Sequence, residues 1–307
     1  MDEFLGLIDE QRNPHFSADA FSLKLNRMLR SVALASVHED FSMSLSDIEE
    51  LRAARDLAVY RTASTLDSLI EMAEQRRGNL ARYQGLNFVS LGLDCMARPF
   101  PTRWGMKWPA KLGEHSGPFD LAIHMPGVVE ELLTTGFADY LTPEHLEFDP
   151  SLNYCVNREK KISFNHEVGE EYSLDGFRKL RETYRARVDR FPSMLDDPRP
   201  LVLVMGYPPF FGANRGALEG FHRIHQRISE RRAAPTVMYC FRVHQPSKSP
   251  EIDNFSESHF TWANFAMPSD VYVWHYPNCF LSAGGIGFER SIVAGLQQMI
   301  DREQLLP

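Results

Sequence analysis

A cysteine that follows a short apolar run is the first candidate for chemistry in this chain of 307 residues. Residues 87–95 read NFVSLGLDC, so Gly92 can make a sharp turn after a strand, and Cys95 comes three residues later. If a helix begins near Asp94, Cys95 lies in its first turn, where unpaired N–H groups and the positive end of the helix dipole favour a thiolate. The same N–H groups, near Gly92 and Cys95, could hold an oxyanion. The alternative is an inert thiol, because free cysteine is among the most buried residue types.

A nucleophilic cysteine needs a base, and the base usually needs an acceptor that orients it. His166, at the end of the extended run SFNH, is the first candidate base, with His124 and His275 as weaker alternatives. Asp120 is the candidate acceptor, because the turn Gly-Pro-Phe-Asp fixes its backbone and leaves the carboxylate free to aim. Each residue also has a structural interpretation. A lone histidine is more often a hydrogen-bonded structural residue, and Asp120 could cap the short segment LAIH.

Other polar patterns favour neither a metal nor a cofactor. His222 and His225 share a face of a predicted helix but have no acidic or cysteine partner at ligand spacing, so a solvated helix face is the preferred interpretation. The glycines of SAGGIGFERS do not match the spacing of known phosphate-binding loops, which favours a turn into a C-terminal helix. The four cysteines are far apart and form no C-x-x-C pair, so neither a zinc site nor a disulfide framework is expected.

The elements around these residues predict an α/β fold. Four runs are typical of strands: NFVSL at 87–91, LVLVM at 201–205, TVMYCFRV at 236–243 and VYVWHY at 271–276. Helical spacing of apolar residues lies between the second and third runs, and further helices are predicted at about 127–135 and over LDGFRKLRETYRARVDRF. Buried strands that alternate with helices indicate a three-layer domain with a mostly parallel sheet. In such a sheet, catalytic groups gather beyond the carboxyl ends of the strands, where Cys95 would lie.

Residues 1–85 differ from the rest in having almost no strand-like runs. A capping box at Ser46 predicts the start of a helix, and Gly78 is a candidate for its end. We therefore divide the chain into a helical extension at 1–85 and an α/β domain at 86–307. The extension could be a lid, an arm for homo-oligomerisation or, preferably, a packing brace.

Composition limits the classes of partner. The chain has 33 lysines and arginines against 41 acidic residues, a formal charge of -8 and a pI of about 5.8, so nucleic acid is not expected as a partner. No run of about 18 apolar residues is present, and the N-terminus is acidic rather than basic. We expect a cytoplasmic protein without a membrane span, acting on a small-molecule, acyl or peptide substrate.

Four segments together resemble a known family: FVSLGLDC, GPFDLAIH, GFADYL and ISFNHE. They are similar to the bacterial domain family of unknown function 1796 (DUF1796), described as papain-like cysteine peptidases, over roughly residues 86–280. The family's Ser-Leu-Gly-x-x-Cys stretch falls on residues 90–95, and its Pro-Phe-Asp-Trp stretch falls on 118–121, where Leu121 replaces the tryptophan. Its later histidine falls on His166. The resemblance implies that Cys95 and His166 are site residues, with Asp120 as a third.

The predicted order of elements resembles a second group. In papain-like enzymes the cysteine opens a long helix and the histidine sits on an antiparallel sheet, whereas here the cysteine follows a strand and later strands alternate with helices. That order looks more like SGNH-type esterases and the related cysteine-bearing acyltransferases of polysaccharide biosynthesis. Fold analogy alone says little about activity.

Three hypotheses follow. The first is a cysteine hydrolase in which Cys95 attacks a carbonyl as thiolate, His166 takes and returns the proton, and Asp120 orients the imidazole. The second is an acyltransferase or esterase that uses the same residues. The third is a non-catalytic binding module in which the cysteine and the histidine are structural.

Overall fold

The computed structural model describes residues 60–108, 114–213, 215–275, 277–280 and 282–306. The helices in these ranges are α1 (Tyr60–Tyr83), α2 (Pro99–Arg103), α3 (Pro126–Thr135), α4 (Leu174–Leu195), α5 (Arg215–Ser229), α6 (Pro277–Phe280) and α7 (Ala283–Arg302). The strands are β1 (Asn87–Ser90), β2 (Leu146–Asp149), β3 (Tyr154–Asn157), β4 (Ile162–Val168), β5 (Leu201–Tyr207), β6 (Thr236–His244), β7 (Phe255–Glu257) and β8 (Phe260–Ala266). The predicted helix start at Ser46 lies outside the described residues.

The larger sheet has five strands in the order β1-β5-β6-β8-β7. The first four are parallel, and only β7 runs antiparallel, against β8. The carboxyl ends of β1, β5, β6 and β8 therefore lie along one edge of the sheet. The predicted α/β fold with a mostly parallel sheet is confirmed.

Helices cover both faces of this sheet. Because successive strand residues point to opposite faces, β5 divides its side chains between two apolar clusters. Val202 and Val204 pack with residues of α1, α2 and α7. Leu201 and Leu203 pack with residues of α3, α4 and α5. All seven residues of β5 are buried, as expected for a central parallel strand covered on both sides.

The fourth parallel strand is not the predicted one. The run VYVWHY at 271–276 was expected to be a strand, but its described residues form a turn and a loop, with Val271 80% exposed. The strand is instead β8, with the sequence FTWANFA. β8 pairs with β6 on one side and β7 on the other, so backbone hydrogen bonding decides between the two runs. His275 consequently lies in the loop after β8 and not at a strand end.

The first described helix packs on the core of the sheet. Ile70, Ala73 and Tyr83 of α1 belong to the same apolar cluster as α7. The predicted end at Gly78 is wrong: α1 continues to Tyr83, and the turn beyond Gly78 is held by a bond from Asn79 Nδ2 to the carbonyl of Trp104, at 2.8 Å. The domain boundary at residue 85 and oligomerisation through N-terminal helices stay predictions, since residues 1–59 lie outside the described ranges.

A second, three-stranded antiparallel sheet lies between β1 and α4 in the sequence, in the order β2-β3-β4. It is joined to the segment that follows Asp120 by a bridge between Ile123 and Ser163. The extended run that contains His166 is β4, which continues to Val168. The insertion thus brings His166 toward the segment that contains Asp120.

Candidate active site

Cys95 lies at the carboxyl edge of the parallel sheet. Beyond Ser90 the chain keeps its hydrogen bonds to β5, with Leu91 N–H donating to the carbonyl of Val204 at 2.9 Å and Leu93 N–H to that of Gly206 at 3.2 Å. Cys95 then begins a single 3₁₀ turn, Cys95–Ala97. The sequence analysis expected a helical turn at this place.

Gly92 makes the turn with backbone that favours glycine, at φ +83°. Its carbonyl accepts a hydrogen bond from Gly206 N–H at 2.9 Å. Its own N–H points to Ser90 Oγ at 3.4 Å, a long contact. The Gly92 N–H is therefore partly engaged within the protein and is a weaker oxyanion donor than the sequence suggests.

Asp94 caps the turn that Cys95 begins. Its Oδ1 accepts a hydrogen bond from Met96 N–H at 2.9 Å, whereas its Oδ2 is buried without a hydrogen-bond partner in the described parts of the chain. The residue is 1% exposed, and burial raises the pKa of its carboxyl to about 7.

The Cys95 thiol is protonated at neutral pH. Burial and, to a lesser extent, the neighbouring charge of Asp94 raise its pKa to about 12. The side chain of Trp274, the backbone N–H of Cys95 itself and the charge of Arg103 act in the opposite direction. The expected stabilisation of a thiolate by the start of a helix is thus outweighed by burial, and the turn that Cys95 begins is only three residues long.

Asp120 faces an arginine from the Cys95 turn. Its Oδ2 accepts a hydrogen bond from Gly117 N–H at 2.7 Å and lies 3.9 Å from Arg98 Nε. Arg98 Nη1 also donates to Ser116 Oγ at 2.6 Å. The interpretation of Asp120 as a helix cap is wrong, because LAIH is not helical and the carboxylate closes its own turn instead. Asp120 is next to Arg98, three residues after Cys95, and no hydrogen bond joins it to an imidazole among the described residues.

His166 lies on β4 with an exposed side chain. Its pKa is lowered first by partial burial and then by the charges of Arg187, His275 and Arg98. The ring is therefore neutral at pH 7 and able to accept a proton. Arg98 of the Cys95 turn and His275 of the loop after β8 are therefore within electrostatic range of His166. No hydrogen bond links His166 to Cys95 within the described ranges.

Trp274 is the residue at this site that the sequence analysis missed. Its Nε1 is buried without a hydrogen-bond partner among the described residues, and its ring contacts that of His275 edge to face, with centroids 5.6 Å apart. The Trp274 side chain also contributes to lowering the pKa of the Cys95 thiol. Burial lowers the pKa of His275. The sequence offers one indication of it, since Trp274 precedes the candidate base His275. The indication was not used because the run 271–276 is predicted to be a strand.

His124 has a structural position. It is 0% exposed, its Nε2 lies 3.2 Å from the hydroxyl of Tyr140, and its ring packs on Phe119. Burial lowers its pKa to about 3, so the ring is neutral. Its backbone N–H donates to the carbonyl of Leu93 at 2.7 Å, which ties the turn before Cys95 to the segment after Asp120.

Two clefts open on the face of the larger sheet that α3 and α5 cover. The first, of about 390 Å³, is lined by residues such as Phe191, Ile228 and Arg231 and by none of the candidate residues. The second, of about 360 Å³, is lined by Tyr207 at the carboxyl end of β5 and by Met125, which follows His124. Of these two, only the second reaches the carboxyl edge of the sheet, and it is not lined by any of the candidate residues either.

The described residues contain no group of three or more histidine, cysteine or acidic side chains placed to hold a metal ion. The four cysteines are free thiols. None of the helices in the described ranges is long and apolar enough to cross a bilayer.

Comparison with known proteins gives no match. No protein-family model matches the chain. No curated protein and no solved structure is significantly similar to it.

Proposed function

We propose that this protein is an enzyme of covalent acyl transfer with Cys95 as its nucleophile and His166 as its general base. The observation that carries the proposal is that Cys95 begins a turn at the carboxyl edge of a parallel sheet, where ligands of α/β proteins bind. Two further observations support it: Arg98 of the cysteine turn lies 3.9 Å from Asp120, and the charges of Arg98 and His275 both act on the pKa of His166.

The chemistry follows from the protonation states. His166 is neutral and Cys95 is a thiol, so the proton moves as the substrate is attacked and is not transferred beforehand. The sulfur forms a bond to the carbonyl carbon, the carbonyl π electrons move to oxygen, and His166 takes the thiol proton. The tetrahedral intermediate then expels its leaving group, which receives that proton, and a thioester on Cys95 results.

The second half of the reaction decides between hydrolase and transferase. Water attacks the thioester in a hydrolase, and an acceptor hydroxyl or amine attacks it in an acyltransferase; both restore the thiol. The position of Cys95 after a strand supports the comparison with SGNH-type esterases and acyltransferases, and the Cys and His pair supports membership of DUF1796. A cysteine peptidase and an acyltransferase of polysaccharide modification are therefore both within the proposal.

Asp120 enters this proposal with a changed role. Its carboxylate faces Arg98 and Gly117 N–H, so it holds Arg98 near the site and does not orient His166 directly. Arg98 in turn is a cation within electrostatic range of His166 and opposes its protonation. Asp120 is thus a positioning residue.

Trapping of the acyl intermediate tests the proposal. We expect incubation with p-nitrophenyl acetate or a short-chain acyl-CoA, followed by an acid quench, to add one acetyl or acyl group at Cys95, measured by intact mass and peptide mapping. Cys95→Ala should lose the adduct. His166→Asn should slow its formation by about 10²–10⁴-fold, the usual contribution of a general base.

Cys279 offers the matched control, since it is also a partly exposed free thiol. Cys279→Ser should keep the adduct. If no donor acylates Cys95, or if Cys279→Ser removes the label, the proposal is wrong.

A non-catalytic binding module is the second candidate, and one observation favours it. The high pKa of Cys95 is also what a structural thiol would show. In that case ligands would bind at this edge without any thioester, and acylation in the presence of a donor would be no faster at Cys95 than at Cys279.

A further inference from the structure

The first cleft, of about 390 Å³, is separate from the Cys95 site. Its walls come from the carboxyl-terminal turns of α3, α4 and α5 and from residues just beyond them. Because α5 returns the chain from the carboxyl end of β5 to the amino end of the parallel strand β6, its last turn lies at the amino edge of the larger sheet. The cleft and the Cys95 turn therefore lie at opposite edges, and binding in the cleft is independent of the proposed acyl chemistry.

The floor of the cleft is apolar and is held by the core. Phe191 and Ile228 are 2% and 5% exposed and belong to the apolar cluster beneath these helices. Gly136 ends α3 in a left-handed conformation, and the N–H of the following Phe137 donates to the carbonyl of Leu132 at 2.8 Å. The Phe137 ring then meets that of Phe191 edge to face, with centroids 5.7 Å apart. The other apolar lining residues are Leu133, Val188, Pro192 and Leu195.

The rim of the cleft on the α5 side is cationic. Arg223, Arg227 and Arg231 recur at intervals of four residues, so they follow one side of the helix and of the turn that ends it. Arg223 is neutralised by Glu130 of α3, which accepts hydrogen bonds from its Nε at 2.5 Å and its Nη2 at 2.8 Å. Arg227 and Arg231 line the cleft, and neither forms an ion pair with a carboxylate in the part of the chain that the structure describes.

The remaining charges of the lining do not neutralise this rim. Arg232 is held in place, since its Nη2 donates to two backbone carbonyls, those of Asp197 and Arg199, at 2.8 Å each. Asp189 and Asp196 lie on the α4 side, where both are exposed to water. Like charges four residues apart on a helix repel each other, so an anion bound between Arg227 and Arg231 would be stabilised by both.

We propose that this cleft binds an amphipathic carboxylate, a medium-chain fatty acid. Its carboxylate pairs with Arg227 and Arg231, and its alkyl chain lies along Phe137, Phe191 and Ile228. A small polar anion would leave the apolar floor uncovered, and a neutral apolar molecule would leave the two arginines without a counter-charge. The volume of the cleft lies within the usual range of small-molecule sites, about 300–1,000 Å³.

Calorimetric titration of the full chain with fatty acids of increasing length tests the chemical class. We expect saturable binding of octanoate, with an affinity that rises about three- to fourfold for each methylene from butanoate to octanoate, because each one leaves water for the apolar floor. Octan-1-ol has the same chain without the charge and should bind about fivefold more weakly than octanoate or worse.

Substitutions in the cleft test the location. Arg231→Gln should weaken octanoate binding about fivefold, as expected for an ion pair at a partly exposed site, and Arg227→Gln/Arg231→Gln should weaken it further. Leu133→Trp fills the cleft and should abolish binding. Arg215→Gln is the matched control: it removes an exposed arginine at the other end of α5, about 24 Å away along the helix axis, and should leave the affinity unchanged.

The outcomes are decisive for a folded protein, which circular dichroism verifies for each variant. If Leu133→Trp does not fold, the exposed Arg231→Gln decides the location alone. The inference is overturned if octanoate does not bind saturably, if octan-1-ol binds as tightly, if the folded cleft variants keep the wild-type affinity, or if Arg215→Gln weakens binding as much as Arg231→Gln does. Failure of the acyl proposal would show separately, as the absence of a thioester at Cys95.

Discussion

Asp94 and Cys95 are adjacent, and a negative charge on one disfavours a negative charge on the other. Asp94 Oδ1 accepts the Met96 N–H, and its second oxygen has no hydrogen-bond partner in the described structure. A carboxylate at this position disfavours a thiolate next to it. The resting cysteine is therefore a thiol, which is less readily oxidised or alkylated than a thiolate. In the proposed mechanism, such an arrangement keeps the sulfur unreactive until a substrate displaces solvent and a base accepts the thiol proton.

Asp94→Asn is expected to lower the pKa of Cys95. Asparagine retains an oxygen that can accept the Met96 N–H, but it removes the charge beside the thiol. Alkylation of Cys95 by iodoacetamide at pH 8 should therefore accelerate several-fold, since one unit of pKa changes the thiolate fraction about tenfold. Peptide mapping measures the rate. Asp197→Asn, at a carboxylate that pairs with Arg199 before β5, is the control and should leave the rate unchanged. Equal rates in Asp94→Asn and the wild type would contradict the prediction.

At the scale of residues, the sequence predicts those turns and caps that neighbouring residues determine. The turn at Gly92, the cap at Asp94 and the left-handed glycine that ends α3 at Gly136 all follow from nearby residues. The protonation of Cys95 could not be predicted, because it depends on how far the folded chain buries the thiol, which neighbouring residues in the sequence do not determine. Likewise, nothing local indicates that Asp120 would face Arg98.

At the scale of elements, the wrong prediction of a strand at 271–276 shows that strand propensity alone does not identify the strands of a sheet. VYVWHY is the more apolar run, yet FTWANFA is the strand, because β8 finds hydrogen-bonding partners on both sides. Propensity describes how well a run fits a pleated surface, and it carries no information about which neighbours are available. The three-stranded insertion was missed as a sheet for the same reason: its strands pair with one another and leave the parallel sheet unchanged.

The position of β4, and with it His166, depends on a buried network with α4. The hydroxyl of Tyr184 lies 2.7 Å from the carbonyl of Leu121 and 2.8 Å from Glu167 Oε2, and its single proton can serve one of them at a time. Arg187 Nη2 donates to Glu167 Oε1 at 2.8 Å. One side chain of α4 thus connects the segment after Asp120 to the strand that contains His166.

Tyr184→Phe should therefore destabilise the protein by about 1–3 kcal/mol, because it leaves buried acceptors without their donor. Urea unfolding followed by circular dichroism measures the free energy. Tyr154→Phe on β3 is the matched control, since the Tyr154 hydroxyl forms no hydrogen bond within the described residues, and it should change the free energy little. A Tyr184→Phe protein as stable as the control would show that water replaces the hydroxyl.

At the scale of the whole molecule, two buried groups make opposite contributions to stability as pH changes. The pKa of His124 is lowered to about 3, so between about pH 3 and 6.5 the unfolded chain binds the extra proton and stability rises with pH. The pKa of Asp94 is raised to about 7, so between about pH 4 and 7 the folded chain binds the extra proton and stability falls as pH rises. From about pH 4 to 6.5 the two slopes cancel.

In the wild type the two pH dependences of stability cancel, so we expect each one to become measurable when the other titrating group is removed by substitution. Relative to the wild type, Asp94→Asn should gain about 1.4 kcal/mol of unfolding free energy for each pH unit between about pH 4 and 7, because the variant no longer has a carboxyl that must stay protonated in the fold. His124→Gln should lose stability relative to the wild type as pH rises through the same window. Urea unfolding at pH 4, 5, 6 and 7 measures both differences, in which titrations common to all three proteins cancel. Differences that are independent of pH would mean that neither group titrates as its burial requires: Asp94 would then be an ionised carboxylate throughout this range, with a partner or solvent to stabilise its charge, and His124 would be accessible to a proton in the folded protein.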